Sequence, residues 1–72
     1  MALQALLHVR AFIQELDNVI EDLKLQRIIA QSVPFPDVQL ISDFNTCIAQ
    51  LETVKLMYRV YEEELKDLVD GL

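Results

Sequence analysis

The chain has 72 residues, twelve acidic against six basic side chains for a formal charge of −6, and 53% hydrophobic residues. That length holds one domain at most, near the size where a single core barely offsets the entropy of ordering, so a partner or oligomerisation is expected to help. The acidic balance works against nucleic acid or anionic lipid as the main partner, and the hydrophobic content is too high for a disordered acidic tail.

No apolar run approaches the roughly 20 residues needed to cross a bilayer, and no charged segment precedes an apolar core at the N-terminus. Cys47 is the single cysteine, so no intrachain disulfide can form. These features predict a soluble, unexported protein of a reducing compartment such as the cytoplasm.

In chain order, the spacing predicts a first helix over about residues 3 to 30. Leu6, Val9, Ile13, Leu16, Ile20 and Leu23 alternate steps of three and four, the a/d seam of a helix packed on another helix, with Phe12 and Val19 flanking it. Pro34 and Pro36, the only prolines, place the turn at about 31 to 36. Ile28, Ile29, Val33 and Phe35 are expected to close that end. A second helix follows over about 37 to 70, with Pro36 suited to its first turn and Asp37 to the positive end of its dipole.

The predicted seam of the second helix is Leu40, Phe44, Cys47, Leu51, Val54, Tyr58, Tyr61, Leu65, Leu68 and Leu72, which contains no polar residue. A connection this short makes the helices antiparallel. The fold class is therefore all-α: a coiled-coil-like, two-helix hairpin completed by a partner or by dimerisation.

Each helix can turn only one stripe toward the other. Phe12, Val19 and Leu25 on the first helix, and Ile41, Ile48, Leu56, Met57, Val60 and Val69 on the second, are left over. Phe12 and Val19 lie close enough to the seam for the hairpin itself to cover them in part. Leu56 and Val60 stand one turn apart on a shared face with Met57 beside them. Phe12, Val19, Leu56, Met57 and Val60 are accordingly predicted to bind a partner, since burying each large side chain contributes about 1.5 to 3 kcal/mol.

Nothing in the chain points to catalysis, a cofactor or a metal. His8 has no second histidine or nearby cysteine for a metal site, and Cys47 is expected to act as a small hydrophobe in the seam. The acidic residues read as solvated faces, with Glu62, Glu63, Glu64, Asp67 and Asp70 opposing the dipole at the end of the second helix, which predicts fraying there ahead of the alternative, a basic partner.

The string IQELD at residues 13 to 17 resembles the SQELD signature of the small Spo0E-type aspartyl-phosphate phosphatases. Ile13 replaces the signature serine, the string falls in the first helix instead of the second, and Ile13 and Leu16 belong to the seam. Amphipathic coincidence explains it better.

A broader resemblance runs from Val9 to about Lys66. VRAFIQELDNVIEDLKLQRI, a short break, and NTCIAQLETVKLMYRVYEEELK are similar to the YscE-type co-chaperones of type III secretion needle subunits, including EscE and SsaE. In the second helix the element that carries it is Leu51 and Glu52 followed by Val54 to Tyr61. The resemblance implies two antiparallel helices without catalytic activity. It further implies binding to a tetratricopeptide-type (TPR-like) chaperone that holds a needle subunit monomeric in the bacterial cytoplasm before export. The alternative is a self-associating coiled-coil or four-helix-bundle dimer, compatible with the first if the dimer forms only when the partner is absent.

Overall fold

The computed structural model of the protein describes residues 1–71. Helix α1 spans Ala2–Gln31 and helix α2 spans Val38–Asp70, packed against each other as an all-α hairpin. Contacts of Arg10 with Glu62 and of Arg27 with Asn45 fix its antiparallel sense. Its extents are 58 × 15 × 13 Å, and its radius of gyration of 16.5 Å compares with about 11 Å for a globular chain of this length. The shape is a rod two helices wide.

Both inner helix ends are set by side chains. At the end of α1 the Ser32 hydroxyl donates to the Ile28 carbonyl at 2.7 Å, and the Ser32 N–H donates to Ile29 O. At the start of α2 the Asp37 carboxylate accepts from the Leu40 N–H at 3.1 Å, satisfying one of the free donors of the first turn. This corrects the placement of Pro36. Because Asp37 must stand outside the helix to reach that N–H, Pro36 falls before the cap and not in the first turn.

The α1 seam buries Leu6, Val9, Ile13, Leu16 and Ile20, with Leu23 half-buried. On α2, Leu65 is buried and Phe44, Leu51 and Val54 are half-buried. The rest of the predicted α2 seam is corrected. Leu40, Cys47, Tyr58, Tyr61 and Leu68 are exposed, Tyr58 the least of the large ones at 36%, and Ile41, Ile48 and Val69 complete the stripe, with Ile48 only 5% exposed. Leu72 lies outside the described residues. Ile41, Ile48 and Val69 are therefore not surplus positions.

The physical reason lies across the interface. The observed stripe includes Lys55 and Glu62, and α1 presents an opposite charge to each. Lys55 Nζ lies 2.7 Å from Asp17 Oδ1, and Arg10 Nε lies 3.3 Å from Glu62 Oε2. Polar residues that would interrupt an isolated seam are thus satisfied, and two branched isoleucines turn inward in place of a leucine and a cysteine. Lys24 pairs with Glu52 at 3.4 Å, and Arg27 donates to Asn45 at 2.8 Å.

Arg10, Asp17 and Lys24 follow one another at heptad spacing with alternating sign. A slip of one heptad in one direction would set Arg10 against Lys55. In the other direction it would set Asp17 against Glu62 and Lys24 against Lys55. Either slip replaces attraction by repulsion, so these residues fix the register as well as tolerating the polar seam.

The two ends of the hairpin differ. Leu6, Val9, Ile13 and Leu65 form a buried cluster with Ala5 and Val69 packed on it, and this holds the end of α2 helical despite its acidic residues. α2 runs as helix as far as Asp70. At the turn, Ile28, Ile29, Val33 and Phe35 are exposed, Phe35 by 94%, so they do not close that end as expected. The connection from Ser32 to Asp37 is too short to fold back over the helix ends, and the seam there carries Arg27 and the small Ala30.

Candidate interaction surface

At about 100° per residue, the two sides of the seam can be followed along each helix. One flank carries Arg10, Asp17 and Lys24 of α1 beside Asn45, Glu52 and Arg59 of α2, and every ion pair between the helices lies on it. The other carries Ala5, Phe12 and Val19 beside Leu40, Cys47, Val54, Tyr61 and Leu68. The hairpin therefore has an ion-paired flank and an apolar flank.

Side-chain geometry on the apolar flank agrees. The rings of Phe12 and Tyr58 meet with centroids 4.7 Å apart and planes tilted by 57°, a favourable aromatic arrangement. Met57, Tyr58 and Tyr61 line one shallow groove beside them. Gln26, Ile29, Ala30, Leu40 and Phe44 line another nearer the turn.

Among the five predicted contact residues, Phe12 is 39% exposed, its ring partly covered by Tyr58, and Val19 is half-exposed on the same flank. Met57 is 66% exposed at the outer margin of this flank. Leu56 and Val60 are equally exposed but project from the back of α2, so the structure does not gather all five on one face. Leu40, Tyr61 and Leu68, assigned to the seam from sequence, belong to the exposed surface. The signal that could have found them is the heptad spacing of Arg10, Asp17 and Lys24, which marks the charged side of α1 and so leaves the apolar side opposite.

The uncovered area is large for the molecule. Among the described residues, seven hydrophobic side chains are buried and eighteen large ones are exposed. The accessible surface of 5402 Å² compares with about 4,600 Å² for a compact monomer of 8.3 kDa.

Within IQELD, Ile13 and Leu16 are buried, and Asp17 is held by Lys55. The hydrogen bond from Lys55, with the charges of Lys55 and Arg59, holds the Asp17 carboxyl below its ordinary value of 3.8. Asp17 thus acts as an ion-pair member of the polar flank. His8 is exposed, and among the described residues no group of three or more His, Cys, Asp or Glu could hold a metal ion. No described helix is long and apolar enough to cross a membrane. No family model, curated protein or solved structure matches the chain.

Proposed function

We propose that the protein is a non-enzymatic binding module whose apolar flank is covered by another helical protein. The observation that supports this is the segregation of the surface: one side of the seam is closed by ion pairs, while the other leaves Phe12, Val19, Met57, Tyr61 and Leu68 exposed along one face. Covering such a face removes apolar area from water on both partners and shields it from aggregation.

The more specific reading is a type III secretion co-chaperone in the bacterial cytoplasm. The hairpin stabilises a TPR-like chaperone, and that pair keeps the needle subunit monomeric before export. Its support is the resemblance of residues 9 to 66 to YscE-type proteins, together with a physical match. A helical repeat protein leaves a terminal helix pair uncovered, and an added hairpin can cap it.

Co-purification of the tagged chain from its native cells, with light scattering on the eluate, tests both levels. A helical-repeat protein and a small needle-like protein in fixed ratio are the expected result. Recovery of a homodimer alone would contradict the proposal and leave self-association as the role of the flank.

A further inference from the structure

The distribution of charge around the hairpin restricts what can cover the apolar flank. All six Lys and Arg residues (Arg10, Lys24, Arg27, Lys55, Arg59 and Lys66) lie on the ion-paired side of the seam. Asp17, Glu21, Glu52 and Glu62 share that side, while Glu63 and Asp70 follow Leu56 at heptad spacing toward the back of α2. The apolar flank is edged by Glu15 and Asp22 on α1 and by Asp43 and Glu64 on α2. No lysine or arginine stands along the same margins.

Asp22 and Asp43 are held in place as acceptors by Gln26 at 2.8 Å and Gln39 at 2.9 Å, and neither bond supplies a cation. From these positions we infer that the flank takes a partner helix whose apolar stripe is edged by lysine or arginine, and not a second copy of this chain. A two-fold dimer uses the same patch on both copies, so this flank would bring four carboxylates against four and offer no lysine or arginine to either. A basic-edged helix meets the same carboxylates as complementary charges at the rim of an apolar contact.

The inference rests on the binding-module reading and specifies its partner chemically. The test uses the full-length chain and two synthetic amphipathic helices with the same leucine and alanine stripe, one edged by lysine and the other by glutamate. Binding of each is measured by fluorescence anisotropy at low and high salt. The lysine-edged helix is expected to bind at least about tenfold tighter at low salt, with the difference shrinking as salt screens the rim.

The exposed quadruple variant Glu15→Gln, Asp22→Asn, Asp43→Asn, Glu64→Gln should remove that difference while leaving helical content unchanged. Met57→Asp with Tyr61→Asp should abolish binding of the lysine-edged helix. Equal affinity of the two helices for the native chain would overturn the inferred charge preference while leaving a binding flank. Binding that survives Met57→Asp with Tyr61→Asp would show attraction to charge alone and overturn the site. Absence of binding by either helix would overturn both the inference and the reading beneath it.

Discussion

The two flanks of this hairpin are built from the same pair of helices and flank the same seam, yet one is closed and the other open. On the closed side, Arg10, Asp17 and Lys24 meet Glu62, Lys55 and Glu52, so charged groups satisfy one another within the chain. On the open side, Phe12 and Tyr58 pack together, but Met57, Tyr61 and Leu68 remain largely in water. Such a division separates two tasks. Ion pairs select the register of the hairpin, and the proposed association would use the apolar area left exposed.

The strongest way to break the comparison is to remove the seam that both flanks share. Ile13→Ala deletes a side chain only 5% exposed within the Leu6, Val9 and Leu65 cluster, and should cost about 2 to 4 kcal/mol. In a chain of this size, thermal denaturation followed by circular dichroism should show a large drop in Tm or no folded baseline.

Next in size is the loss of partner capture without loss of fold. Met57→Asp with Tyr61→Asp should leave helical content and Tm nearly unchanged while abolishing recovery of the partner. Leu56→Asp with Val60→Asp, on the back of α2, sharpens the comparison, because capture should survive if the partner covers the flank alone. Its loss would extend the contact around α2 to the face that the sequence itself picks out.

On the closed flank, Lys55→Ala should lower Tm by a few degrees at most, since the pair with Asp17 is partly exposed and screened. Exchanging the charges, Asp17→Lys with Lys55→Asp, should recover part of the loss. Failure to recover any would mean that the pair contributes through geometry and not through charge.

The smallest effect is the pH dependence of this pair. The folded Asp17 carboxyl titrates below its ordinary value of 3.8, so its stabilisation is complete above that value and fades as pH falls through the lower folded one. The Tm difference between the native chain and Asp17→Asn should therefore be constant near neutrality and shrink below about pH 4.

How much of this was legible in the sequence depended on whether one helix could be read alone. The α1 seam and the position of the turn were local signals: Leu6 to Leu23 at alternating spacing, and two prolines confined to one segment. The α2 seam was not local. Phe44, Leu51, Tyr58 and Leu65 are common to two possible stripes, and the one containing Lys55 and Glu62 looks inferior until Asp17 and Arg10 are known to face them. The uninterrupted stripe would turn Cys47, Tyr61 and Leu68 inward and Ile48 outward. The surplus of apolar surface was visible from sequence, but its gathering onto one flank depends on that pairing.

The central claim is that the apolar flank, and not the ion-paired one, is covered in the functional complex. Cys47 is exposed on that flank and is the only cysteine in the chain, so its alkylation by iodoacetamide reports directly on the cover. The measurement is the rate of Cys47 modification in the free chain and in the complex purified from native cells. The rate is predicted to fall by at least about tenfold in the complex. An unchanged rate in an intact complex would contradict the account and place the partner elsewhere on the hairpin.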